Sequence, residues 1–100
     1  MVVHVVMIKF CEDPEKESHI QEAKRRIDAL MGRIPGLRSM ETGINFAREE
    51  RAMDLCLRAT FDDREALRAY ATHPAHLKVI DWLKGVAEYS KVVDYETGNR

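Results

Sequence analysis

Residues Val2–Phe10 read VVHVVMIKF, a run rich in β-branched residues that predicts a β-strand. Successive side chains of a strand point to opposite faces, so one face carries His4, Val6, Ile8 and Phe10 and the other carries Val3, Val5 and Met7. Both faces are mainly apolar. The pattern therefore predicts a central strand that is covered on both sides, not a strand with one wet face.

A helix is predicted directly after this strand. Asp13 and Pro14 supply an N-cap and a first-turn proline. Steps of three and four residues then place one apolar stripe on Ile20, Ala23, Ile27, Leu30, Met31 and Ile34. Pro35 and Gly36 end the predicted helix.

Two further strands are predicted in the middle of the chain. Residues 38–46 alternate between polar and apolar side chains, with Met40, Thr42, Ile44 and Phe46 on the inner face. Residues 53–61 alternate in the same way, with an inner face of Met53, Leu55, Leu57, Ala59 and Phe61. The charged residues 48–51 between them are interpreted as a solvated hairpin turn.

A second helical region opens at Asp62, whose spacing from Glu65 resembles a capping box. Pro74 divides the region into a short helix and a longer one over about residues 75–86. The longer helix is expected to bury Leu77, Ile80 and Leu83, with Trp82 at the core or an interface. Residues 88–96 form the last predicted strand, and residues 97–100 are expected to fray.

This order predicts an α+β fold of the ferredoxin-like type, β-α-β-β-α-β, with a four-stranded antiparallel sheet. Both helical regions then lie on one face of the sheet. The apolar residues on the other face of the first strand also need cover, and a second copy of the chain is the simplest source of it. We therefore expect a homodimer in which two sheets face each other as a dimeric α+β barrel.

Composition limits the classes of partner. One hundred residues, 45% hydrophobic and 33% charged, fit one globular domain over residues 1–100. The net charge of −1, with Lys and Arg spread along the chain, lacks the one-sided basic field that nucleic acid or an anionic membrane surface requires. The apolar run at residues 5–8 is too short for a signal peptide or a membrane span, so the expected location is the cytoplasm. Cys11 and Cys56 are expected to be free, buried thiols.

Residues 70–76, YATHPAH, are the segment that best indicates chemistry. Pro74 at the first helical position places His76 in the first helical turn, where the helix dipole disfavours an imidazolium and keeps a neutral base. The Tyr70 phenol can donate a hydrogen bond to a carbonyl or a developing enolate. His4, in the middle of the first strand, needs a polar partner or a wet cavity and can lie near both.

Two other interpretations of these residues stay open. The first is structural: Tyr70 packs in the core, His73 caps the helix and His76 bonds a backbone carbonyl. The second is a metal site, because His73 and His76 are three residues apart and His4 offers a third ligand. The spacing alone is weak support for a metal, so we predict neither a metal nor a cofactor. No Gly-rich phosphate loop, nucleophile elbow or nucleotide-binding fingerprint is present in the sequence.

The chain resembles the stress-responsive α/β-barrel (Dabb) family over nearly its whole length. The HPAH stretch at residues 73–76 is the most specific matching piece. The other pieces are His4-Val5-Val6, Pro35-Gly36, residues 43–46, Asp54-Leu55 with Phe61, and residues 92–95. The order and spacing of these pieces together carry the resemblance.

This resemblance implies a ferredoxin-like monomer that pairs into a dimeric α+β barrel. It also implies varied function, since some members are stress-related proteins without a clear reaction and others are polyketide cyclases that perform an intramolecular aldol condensation. By position in that family, His76 matches the cyclase base, Tyr70 the assisting tyrosine and His4 a histidine of the same cavity. His73 is a further candidate for ligand binding, and the expected lining is Val6, Ile8, Ile27, Leu67, Ile80 and Leu83.

Three hypotheses of function follow. The first is a dimeric stress-type protein that binds a small apolar or aromatic ligand without an assigned reaction. The second is a lyase or cyclase of aldol type with His76 as base and Tyr70 as hydrogen-bond donor. The third, a cofactor-free monooxygenase or an isomerase, rests on the fold alone.

Overall fold

Seven elements follow one another along residues 1–98, the part of the chain that this computed structural model describes. They are β1 (Val2–Phe10), α1 (Lys16–Asp28), β2 (Leu37–Ile44), β3 (Leu55–Phe61), α2 (Arg64–Thr72), α3 (Pro74–Leu83) and β4 (Ala87–Glu96). The predicted β-α-β-β-α-β order is confirmed, with the second helical region divided in two at Pro74. Proline at the first position of α3 is favourable because that position needs no N–H donor.

The four strands form one antiparallel sheet in the order β2-β3-β1-β4, so β1 is central, as its two apolar faces predict. The register sets His4 between Ala59 of β3 and Asp94 of β4. The helices cover one face of this sheet, and the core between the two layers contains Phe10, Ile27, Leu30, Leu55 and Phe61, each almost fully buried. Each such side chain stabilises the fold by about 1.5–3 kcal/mol.

The first helix is shorter at both ends than the sequence predicts. It begins at Lys16, and Asp13 instead accepts a hydrogen bond from the backbone N–H of Glu15 in the preceding turn. It ends at Asp28, yet Leu30 and Ile34 stay buried in the turns that follow. Burial of the stripe thus continues after the helical hydrogen bonding has stopped, except at Met31, which is 44% exposed.

The second helical region differs from the prediction in its capping and in one buried position. The carboxylate of Asp63, not of Asp62, accepts from the backbone N–H of Ala66 and caps α2. Leu77, expected to be buried, is 48% exposed, and Val79 is buried in its place. The reason is that α3 packs on its neighbours through Ala75 and Val79, which are four residues apart on one face, and Leu77 lies off that face.

The connection between β2 and β3 is longer than the two predicted strands allow. β2 ends at Ile44, and Phe46, expected on the inner face, is 95% exposed. β3 begins at Leu55. The carboxylate of the preceding residue, Asp54, accepts a hydrogen bond of 2.7 Å from the backbone N–H of Phe10 at the end of β1. That bond anchors the loop at the point where the strand pairing stops.

Both cysteines are free but exposed, so the expectation of buried thiols is wrong. Cys56 lies on β3 opposite Met7 of β1, on the sheet face without helices, and Cys11 comes directly after β1. Thr97 bonds the carbonyl of Met1 through both its backbone N–H and its hydroxyl, at 3.0 and 3.2 Å. The expected fraying of residues 97–100 is thus not seen at Thr97, and residues 99 and 100 lie outside the described residues.

The sheet face without helices is only partly apolar. Met7, Val93 and Tyr95 share this face and are 40, 53 and 46% exposed in the single chain. On the other half of the same face, Ser39 and Thr60 form a hydrogen bond of 2.6 Å between their hydroxyl groups. The exposed apolar surface therefore follows β1 and β4.

Within residues 1–98 no helix has the length and apolar character needed to cross a membrane.

Candidate functional site

A groove of about 490 Å³ lies between α3 and the sheet. α3 packs on α1 and α2, and the groove has α3 on one side and β1 and β4 on the other. Its walls are mainly apolar. The lining residues are His4, Val6, Ile8, Ile27, Leu30, Leu57, Tyr70, His76, Val79, Ile80, Leu83, Lys84, Ala87, Tyr89, Ser90 and Val92.

Tyr70 holds its ring in the core and keeps its hydroxyl available. The residue is only 2% exposed, and its ring lies 5.0 Å from that of Phe61. Among residues 1–98 no group hydrogen-bonds the Tyr70 hydroxyl. Every side-chain oxygen or nitrogen that is fully buried in these residues does have a hydrogen-bond partner, so the Tyr70 hydroxyl is not fully buried. The hydroxyl therefore faces the groove. Burial raises the pKa of Tyr70 to about 12, so the phenol stays protonated and can donate a hydrogen bond.

His76 lies in the first turn of α3, with its ring centre 4.1 Å from that of Tyr70. Its Nδ1 is 3.2 Å from the carbonyl oxygen of Ala71. Because a carbonyl only accepts, this bond places the proton on Nδ1 and leaves the lone pair on Nε2. Burial lowers the pKa of His76 below its usual value; the hydrogen bond to Ala71 opposes this, and the nearby His4 and His73 add to it. The result is a neutral imidazole that can accept a proton.

His4 is held by a carboxylate on the neighbouring strand. Its Nδ1 lies 2.5 Å from Oδ1 of Asp94, the residue directly opposite it in the β1–β4 pairing. The carboxylate accepts a hydrogen bond from Nδ1–H and so fixes the orientation of the ring. The ring centre of His4 is 5.9 Å from that of Tyr70. Two histidines therefore flank one phenol at the same end of the groove.

The structure brings most of the predicted site residues together. His4, Tyr70 and His76 meet at one end of the groove, and five of the six expected apolar lining residues lie along it. Leu67 does not. It lies in a separate, smaller depression beside Arg64 and Arg68.

His73 is also outside the groove lining. Its Nδ1 accepts from the backbone N–H of Ala75 at 3.1 Å and caps α3. The structural interpretation thus describes His73, whose accepting nitrogen already has a partner, and it also describes the burial of Tyr70 and the bond between His76 and a backbone carbonyl. In the described part of the chain no three His, Cys, Asp or Glu side chains are grouped so that they could hold a metal ion.

Sequence reasoning missed Asp94 and the residues that β4 contributes. Ser90, Val92 and Asp94 alternate along β4, which was a signal that they share a face. Which strand residue stands opposite His4 depends on the register between β1 and β4, and the two strands are separated by most of the chain. Alternation alone does not determine that register.

Similar proteins support the same architecture. A solved structure from Bacteroides fragilis, a dimeric protein of unknown function with a ferredoxin-like fold, matches with a TM-score of 0.87 and 32% identity, covering 96% of this chain and 95% of its own. A dimeric ferredoxin-like protein of unknown function from Jannaschia sp. matches with a TM-score of 0.79 and 30% identity, covering 96% and 98%. An uncharacterized protein of Streptomyces coelicolor is 29% identical over 97 residues, 96% of this chain and 99% of its own.

Enzymes share the fold at lower identity. An antibiotic biosynthesis monooxygenase matches with a TM-score of 0.78 at 11% identity, covering 99% of this chain and all of its own length (100%). The hydroxynitrile lyase of Passiflora edulis matches with a TM-score of 0.74 at 16%, covering 99% and 94%. At these identities the likeness concerns the fold and not the chemistry. The chain itself belongs to the stress-responsive A/B barrel domain family, whose model matches residues 2–97.

Proposed function

We propose that the protein works as a homodimer and binds a small apolar or aromatic ligand in the groove of each subunit. The observation that carries this proposal is an open, apolar groove with the Tyr70 hydroxyl at one end and no protein group bonded to it. Since no group of residues 1–98 bonds this hydroxyl and it faces an apolar groove, its hydrogen bond is available to a ligand acceptor such as a carbonyl oxygen.

Binding can be tested with N-phenyl-1-naphthylamine, an uncharged aromatic probe that fluoresces in apolar surroundings. We expect saturable binding to the wild-type protein. Val92→Trp fills the groove from β4, where Val92 is 61% exposed and its replacement leaves the core intact. It should weaken binding about tenfold or more. Asp81→Trp, on the exposed side of α3 and outside the groove, is the matched control. Equal binding by Val92→Trp and wild type would refute the proposal.

A second candidate is enolisation chemistry of the lyase or cyclase type, favoured by the neutral state of His76. Nε2 of His76 would take a proton from the carbon next to a carbonyl, and the electron pair of that C–H bond would form an enolate. The Tyr70 hydroxyl would donate to the enolate oxygen. An aldol step would then join the enolate carbon to a second carbonyl of the same molecule and return the proton to the new alkoxide.

Exchange of the methyl protons of acetophenone for deuterium in D₂O, followed by proton NMR, tests the first half of this chemistry without knowledge of the substrate. We expect the wild-type protein to accelerate exchange, His76→Ala to abolish the acceleration, and Tyr70→Phe to lower it by about 10- to 100-fold. Exchange that is equally fast with wild type and His76→Ala would exclude His76 as the base. A monooxygenase has only the likeness of fold in its support.

A further inference from the structure

We infer that the ligand carries an acidic group, which Lys84 binds at the end of the groove away from Tyr70 and His76. This inference rests on the proposed binding of a ligand in the groove. It adds the chemical class of that ligand and the residue that selects it.

The groove has two polar ends, separated along α3. His76 is in the first turn of this helix, and Lys84 comes directly after its last residue. Eight residues of helix separate them by about 12 Å. β4, below the helix, also has a polar residue at each end of the groove. Asp94 bonds His4 at the first end, and Ser90, four residues earlier in the strand, lines the other end. Four residues of strand span about 13 Å.

The groove between these ends is apolar. Val79, Ile80 and Leu83 of α3 form one wall. Val6 and Ile8 of β1 form the floor. A ligand that reaches from Tyr70 to Lys84 must therefore have an apolar middle and polar groups at its two ends.

Lys84 provides the only formal charge at the second end. It is the one Lys, Arg, Asp or Glu among the groove residues of the described chain. No carboxylate of residues 1–98 lies within 4 Å of its ammonium, unlike Lys16 and Lys24, which are both paired. Ser90, which stands opposite Ile8 on the same face of the sheet, lines the same end. An unpaired cation beside a serine suits a carboxylate better than a neutral group.

Two probes with the same aromatic skeleton isolate this charge. 8-Anilinonaphthalene-1-sulfonate is N-phenyl-1-naphthylamine with one added sulfonate, and both can be titrated by fluorescence at about 0.15 M salt, where exposed charges still interact over about 8 Å. We expect Lys84→Gln to weaken binding of the sulfonate about 3- to 10-fold and to change binding of the neutral probe less than twofold. Lys84→Arg should retain both affinities, because the charge is kept.

Lys78→Gln is the matched control, since it removes the same charge from within α3 outside the groove, and it should change neither affinity. If Lys84→Gln weakens both probes alike, Lys84 acts through the end of α3 and not on an acid, and the inference is wrong. It is equally wrong if neither affinity changes. Absence of binding of the neutral probe to the wild-type protein would instead refute the groove as a ligand site, a different outcome from either of these.

Discussion

Tyr70 and His76 depart from their ordinary acid–base behaviour in opposite directions for the same physical reason. Burial disfavours a charge, so it raises the pKa of the phenol, which is charged when deprotonated, and lowers the pKa of the imidazole, which is charged when protonated. Both side chains are therefore neutral near pH 7. A neutral donor next to a neutral acceptor is the state that enolisation chemistry requires.

The lowered pKa of His76 predicts a loss of stability in acid. Between the unfolded pKa of about 6.5 and the lower folded pKa, the unfolded chain binds a proton that the folded chain does not, so stability falls as pH decreases. Above the unfolded pKa this contribution is complete. Urea unfolding at pH 7.5 and 5.5 should show a smaller loss for His76→Asn than for wild type. His19→Asn, on α1 and outside the groove, is the control, and an equal pH dependence in wild type and His76→Asn would contradict the prediction.

The ring and the hydroxyl of Tyr70 have separable roles. Tyr70→Phe removes a hydroxyl that bonds no group of the described chain, so the free energy of unfolding should change by less than about 0.5 kcal/mol. Tyr70→Ala removes a buried ring in contact with Phe61 and should cost about 3–5 kcal/mol. Urea unfolding measures both. A large loss in Tyr70→Phe would reveal an internal partner for the hydroxyl.

At the scale of elements, the docking of α2 depends on a glycine in the turn before β2. Gly36 and Gly32 both have positive φ angles, of 85° and 86°. A Cβ at Gly36 would lie 2.6 Å from the Cβ of Ala66 in α2, whereas a Cβ at Gly32 would meet nothing within 4 Å. A side chain at either position would therefore strain the backbone, but only one at Gly36 would also collide with α2.

Substitution by alanine should separate strain from contact. Gly32→Ala should cost about 1–2 kcal/mol from the left-handed backbone alone. Gly36→Ala should cost about 1–3 kcal/mol more, because α2 must also move away from β2. Denaturant unfolding of the two variants gives the comparison. Equal losses would show that α2 adjusts without cost.

For the whole molecule, the exposed apolar surface along β1 and β4 predicts association. Val93 is 53% exposed on the sheet face without helices, and similar solved structures are dimeric. We expect sedimentation of the wild-type protein at micromolar concentration to give a dimer. Val93→Lys should give a monomer, because it places a charge in the buried surface. Leu77→Lys, at 48% exposure on the helical side, should remain a dimer. A monomeric wild type would contradict this assembly.

The fold could be predicted from local patterns because those patterns are themselves local physics. The alternation in β1, the apolar stripe of α1 and the proline at residue 74 each constrain a few neighbouring residues, and their order allows few topologies. Errors occurred where neighbours in space compete. Asp63 caps α2 where Asp62 was expected to, and Val79 is buried where Leu77 was expected to be. In both cases the packing of α2 and α3 on the sheet decides between neighbouring residues that the local pattern does not distinguish.

Part of the candidate site also follows from local sequence patterns, and the rest depends on contacts between residues far apart in the chain. Tyr70 and His76 are six residues apart, so their nearness at the head of α3 follows from the helix–proline–helix pattern in the sequence. The partnership of His4 with Asp94 and the groove that ends at Lys84 required folded coordinates. The physical reason is that both depend on strand register and on the gap between α3 and β4. Contacts between residues far apart in the chain set these, and a two-residue shift would preserve every local pattern.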